Sequence, residues 1–173
     1  MLGTGRSRAV EEAVRADEGG QLRSERGQDG QHAVAHGRYG TGSQDFSALL
    51  HLLAGTNNIG LWKGRQPAEQ TVKGIREIAV RLLKRFPETR LILMEVTPYG
   101  PDPDSPLRRR QEEINRLLRR LELPRTTILS INGSLLKPDG TFREGMFKDH
   151  VHLTEKGYQA WADALLPLLN GEG

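Results

Sequence analysis

Three short apolar runs, at residues 47–54, 91–96 and 126–131, alternate with three stretches whose apolar residues recur every three or four positions. Short runs read as buried strands and the three- and four-residue spacing as amphipathic helices. Strand, helix, strand, helix, strand, helix is the pattern of an open parallel sheet with helices on both faces. Ser47–Ala54 ends at Gly55-Thr56-Asn57-Asn58, which reads as a turn. Pro67 opens a helix of about five turns carrying Val72, Ile75, Ile78, Ala79, Leu82 and Leu83 on one face. Leu91–Val96 is cut off by Thr97-Pro98, and a proline-rich loop runs to Pro106. Ser105 is placed to cap the next helix, with Leu107, Ile114, Leu117, Leu118 and Leu121 as its expected buried stripe. Thr126–Ile131 is the third strand, 137–140 a turn, and Thr154 the cap of a last helix burying Trp161, Ala164, Leu165 and Leu168, with Gly171 after its end.

Three strands make a thin sheet, and the first quarter explains why more are not legible. Nine of the 20 glycines fall in residues 1–45, which contain no Ile, Phe or Trp. Such composition predicts an irregular segment with one local helix over Ser7–Ala16, followed by the folded domain at 46–170. One or two N-terminal strands are therefore expected to be missing or atypical. The chain has no cysteine, which excludes a disulfide scaffold, a thiolate metal site and a cysteine nucleophile. Net charge is +3, split as −1 over residues 1–45 and +4 over the rest, too small to imply a nucleic-acid partner. The arginines at 108, 109, 110, 116, 119, 120 and 125 lack interleaved aromatics, and Glu112 and Glu113 can pair with Arg116 and Arg109 on a solvated helix face. No apolar run reaches the roughly 18 residues of a membrane span, and no signal peptide is visible, so a cytoplasmic location is the default expectation.

Chemistry is expected at the carboxyl ends of the strands. Gly55-Thr56-Asn57-Asn58 follows the first strand, where an Asn amide can donate to an anion; a plain polar turn is the alternative. Asp149-His150-Val151-His152 precedes the last helix, and its spacing allows a carboxylate to fix an imidazole tautomer and leave the other nitrogen as a base. His-x-His with a nearby Asp is also a zinc pattern, although no third strong ligand follows and His51 lies inside a strand. Trp62 can line a pocket or bury a helix face, and Trp161 reads as core.

Taken in order, Leu52-Leu53-Ala54-Gly55-Thr56-Asn57-Asn58-Ile59-Gly60, Pro98-Tyr99-Gly100-Pro101 and Asp149-His150-Val151-His152-Leu153-Thr154-Glu155-Lys156-Gly157-Tyr158 resemble the SGNH, or GDSL-type, hydrolases. The likeness is to the branch of the platelet-activating-factor acetylhydrolase catalytic subunits, and it runs from about Phe46 to Leu169. It implies a flavodoxin-like three-layer α/β/α fold and a small-molecule ester as substrate. It further implies Asn57 in the oxyanion hole, His152 as base and Asp149 as its orienting acid, with no metal or organic cofactor. The family's nucleophile stands in Gly-Asp-Ser after the first strand, and residues 1–57 contain no such triplet. Ser7, Ser24, Ser43 and Ser47 lack a preceding apolar strand, and neither Gly40 nor Gly42 is distinguished as the family's second-block glycine. Two readings follow: an ester hydrolase acting through Ser, His and Asp, and a catalytically silent remnant or binding module on the same scaffold. A shifted frame or start replacing the first strands is the expected origin of residues 1–45, and the sheet edge so exposed predicts self-association.

Overall fold

A period-two alternation along the central strand decides how the layers stack. In the computed structural model, which describes residues 33–34, 49–61 and 63–169, the strands are β1 (Ala33–Val34), β2 (Leu49–Leu52), β3 (Arg90–Met94) and β4 (Thr126–Leu129). They lie side by side in the order β1-β2-β3-β4. β2, β3 and β4 are parallel, with Leu49 opposite Arg90 and Leu91 opposite Thr126, while β1 pairs antiparallel with β2 over two residues. Leu91 and Leu93 of β3 point into one core, Ile92 and Met94 into another. A strand covered on both faces is apolar at successive positions, which is why β3 reads as an unbroken run from Leu91 to Met94. Leu93 is fully buried; burial of that kind contributes roughly 1.5–3 kcal/mol per side chain.

The helices are α1 (Thr56–Leu61), α2 (Ala68–Arg85), α3 (Pro106–Leu118), α4 (Asn132–Leu135) and α5 (Glu155–Leu169). α2 and α3 cover one face, through Val72, Ile75, Ala79, Leu82 and Leu83 together with Ile114 and Leu118. α5 covers the other through Trp161, Ala164, Leu165 and Leu168, beside Leu135 of α4. The result is a three-layer α/β/α arrangement around a parallel sheet whose N-terminal strand, β1, is atypical. Ser105 caps α3 as expected, its hydroxyl accepting from the Arg108 N–H at 3.2 Å, with Pro106 in the first turn.

Three local expectations are corrected. Only Gly55, at φ +116°, forms the turn after β2; Thr56, Asn57 and Asn58 already belong to α1. The stripe buried by α3 is partly polar: Arg108, Gln111 and Asn115 lie inward with Ile114 and Leu118, whereas Leu107, Leu117 and Leu121 are only partly buried. Arg108 is accordingly not on a solvated face, and the carboxylate pairing on this helix is Arg110 with Glu113 at 2.7 Å. The Ser7–Ala16 helix, the boundary near Phe46, Ser7, Ser24, Ser43, Ser47, Gly40, Gly42, Trp62 and Gly171 lie outside the described residues. No helix among the described residues is long and apolar enough to cross a membrane.

Candidate active site

A cavity of about 380 Å³ opens at the carboxyl ends of β2 and β3. Its first wall comes from the β2 exit. Gly55 is required there, because a Cβ would stand 3.0 Å from Val96 Cγ2 at a φ that side chains avoid. The turn it permits starts α1 and places Thr56 and Asn57 on the cavity lining. Asn58 is used elsewhere, its amide donating to Gln66 Oε1 at 3.0 Å.

The floor is the β3 exit, where Thr97 lines the cavity and is almost wholly buried. Its backbone is held from α3. Asn115 accepts from the Val96 N–H and donates to the Val96 carbonyl, both at 2.8 Å, as a neighbouring strand would. The same carbonyl accepts from Gln111 Nε2 at 3.0 Å and from Asn132 Nδ2 at 3.2 Å. Beside it, buried Glu95 is paired with the Arg119 guanidinium. Buried polar groups that satisfy one another in this way fix a backbone more tightly than apolar packing does.

His152 adds to the lining, with Asp149 hydrogen-bonded to its ring. Asp149 Oδ1 accepts the backbone N–H groups of Val151 at 2.7 Å and His152 at 2.8 Å. Asp149 Oδ2 lies 2.8 Å from His152 Nδ1. The His152 backbone N–H, then its ring, then the Val151 N–H hold the Asp149 carboxyl well below the usual carboxylate range. A carboxylate only accepts, so Nδ1 carries the proton and Nε2 is left as the basic nitrogen. The turn is closed by Lys148 N–H donating to the His152 carbonyl at 2.8 Å, and Gly100 N–H reaches the His150 carbonyl at 2.7 Å. α5 starts at once, capped by the Thr154 hydroxyl, which accepts from Gly157 N–H at 3.2 Å. Gly157 lets the helix sit against the Met146 carbonyl, where a Cβ would come within 2.4 Å.

Asn57 and His152 thus line one cavity, with Asp149 behind His152. Tyr158 and Trp161 complete the lining, their rings nearly parallel at 6.0 Å. Trp161 therefore serves both core and cavity, and the sequence signal for Thr97 and Tyr158 is position, immediately after a strand and one turn past the His152 loop. His51 is buried in β2, edge-on to Trp161 at 5.2 Å. Among the described residues no three His, Asp or Glu side chains converge as a metal site would need.

The structure thus brings a histidine–carboxylate pair and an asparagine to one cavity at the strand ends of a parallel sheet. The chain belongs to the GDSL-like lipase/acylhydrolase family, in its platelet-activating-factor-acetylhydrolase-like branch: the family model matches residues 4–160. That match begins well upstream of the motifs, which start near Leu52. The chain is 31% identical over 123 residues to platelet-activating factor acetylhydrolase IB subunit alpha1 of Homo sapiens, covering 70% of this chain and 51% of the relative. It is 32% identical over 113 residues to the alpha2 subunit of Rattus norvegicus, covering 64% and 46%. The chain therefore spans about half the length of the relatives it matches. Among solved structures, a GDSL-like lipase from Bacteroides thetaiotaomicron shares the fold at a TM-score of 0.59 and 19% identity, over 72% of this chain and 63% of that one.

Proposed function

We propose that this chain hydrolyses a small-molecule carboxylic ester through a serine, His152 and Asp149, with Asn57 as an oxyanion donor. The observation that carries the reading is the 2.8 Å bond between Asp149 Oδ2 and His152 Nδ1, on the rim of the cavity that Asn57 also lines. His152 Nε2 takes the proton of the serine hydroxyl as its oxygen attacks the ester carbonyl carbon. The Asn57 amide donates to the carbonyl oxygen as it becomes an alkoxide. Collapse expels the alcohol, which recovers the proton from His152, and a water activated by the same nitrogen releases the acid. Relatives named acetylhydrolases support a short acyl group, in keeping with a cavity of about 380 Å³. The chemistry asks for no metal. Self-association along the sheet edge beside the two-residue β1 belongs to the same proposal.

The second reading, a silent scaffold that binds without turnover, is favoured by the missing Gly-Asp-Ser in residues 1–57. Treatment with an alkyl fluorophosphonate and peptide mapping separates the two. One serine labelled in the native chain and unlabelled in His152→Ala is the expected result. No labelled serine, or labelling indifferent to His152, removes the catalytic reading.

A further inference from the structure

Arg108 is fully buried, carries a charge, and takes no part in the chemistry above. Burial lowers the pKa of its guanidinium, and the nearby carboxylates of Glu112 and Asp102 oppose that shift. A cation withdrawn from water needs hydrogen bonds to replace the solvent; Nη1 and Nη2 find them in two separate loops, while Nε has none. Nη1 donates to the Gly140 carbonyl at 2.8 Å and Nη2 to the Gly100 carbonyl. The guanidinium also lies over the Phe142 ring, 5.5 Å from its centroid.

Both contacts lead to the His152 turn. Gly100, at φ +81°, offers its N–H to the His150 carbonyl at 2.7 Å. Its own carbonyl belongs to the peptide before Pro101, which has no N–H, so that carbonyl is the peptide's one hydrogen-bonding group. On the other side Phe142 stacks on Phe147 at 3.8 Å, and Phe147 pairs with Leu153 across the turn. An apolar side chain would fill the same space; it would not orient Gly100.

We propose that Arg108 is a positioning residue for the Asp149–His152 pair, fixing Gly100 and through it the His150 carbonyl at the centre of the turn from which His152 faces the cavity. The proposal rests on the reading of His152 as the base. A lysine at this position keeps the charge but lacks the planar fork that sets a separate nitrogen on each carbonyl.

The test compares the full-length chain with Arg108→Lys and Arg108→Met by NMR and by p-nitrophenyl acetate hydrolysis. In both variants the Gly100 amide should exchange at least about 10-fold faster, the usual consequence of a lost anchoring bond in a locally opening segment. The Asp149 carboxyl should titrate closer to its ordinary range, while Leu91, Ile92 and Leu93 amides keep their protection. kcat should fall about 10- to 100-fold with KM little changed, as for a catalytic group displaced by a fraction of an ångström. Unchanged Gly100 exchange and Asp149 titration would overturn the proposal. So would exchange that rises in step at Gly100 and at Leu91–Leu93 in both variants, since Arg108 would then only hold the fold. If the native chain shows no His152-dependent turnover, the functional reading fails, and the NMR comparison still decides the role of Arg108.

Discussion

Around the β3 exit, Gln111 and Asn115 are each 2% exposed, and the Val96 carbonyl alone accepts three side-chain amides. On the cavity rim, the His152 and Asp149 side chains are 75% and 50% exposed, and the pair is held by its own turn and a few backbone bonds. The first region spends buried polar groups on holding backbone still; the second leaves its titratable groups in reach of solvent and substrate. Substitutions on the floor should therefore cost stability, and substitutions on the rim should cost rate. A variant that behaved the other way round would break the contrast.

The largest expected effect is on the rim. Asp149→Asn keeps the shape of the side chain but offers Nδ1 an amide, favouring the wrong tautomer; kcat for p-nitrophenyl acetate should fall about 10²–10⁴-fold. Its thermal midpoint should match that of the native chain within a degree or two, and a large drop would show that the pair is structural. Next comes Asn57→Ala, expected to lower kcat about 10²–10³-fold with little change in KM, the behaviour of a lost oxyanion donor. Steady-state kinetics that showed only a KM effect would remove Asn57 from the oxyanion hole.

On the floor, Asn115→Leu leaves the Val96 N–H buried without its acceptor and should destabilise the chain by about 1–3 kcal/mol in urea unfolding. A loss below about 0.5 kcal/mol would mean that water or a neighbour replaces the amide. The smallest effect is the acid limb. Because the Asp149 carboxyl is depressed in the folded chain, what it adds to stability is present above the ordinary carboxylate range near pH 4. That contribution is lost as the pH falls toward the folded value. Asp149→Asn should thus flatten the acid end of the stability profile slightly, and an identical profile in the variant would contradict the assigned bonds. If the edge beside β1 associates, the melt of the native chain should rise with protein concentration; a concentration-independent melt of a monomer removes that part of the proposal.

Much of this was legible in the sequence because it is either periodic or local. β3 shows as a run because both its faces are buried, and α2 shows because its apolar stripe repeats over 18 residues. The Asp149–His152 pair shows because three residues separate its members and one turn closes it. The polar part of the α3 stripe, Arg108, Gln111 and Asn115, did not show, since polar residues at helical spacing read as a solvated face until their partners are known. Those partners are the Val96, Gly100 and Gly140 backbone groups, which reach α3 only through the tertiary fold. The same holds for Thr97 and Tyr158, whose place on the cavity depends on how β3 and α5 are stacked.

Hydrolysis of p-nitrophenyl acetate by the full chain, compared with His152→Ala, is the most direct test of the site. Loss of the basic nitrogen should reduce kcat/KM by about 10³-fold or more, with both proteins equally folded by circular dichroism. Equal rates for the two would contradict the assignment of His152 as base and leave the fold without the chemistry proposed for it.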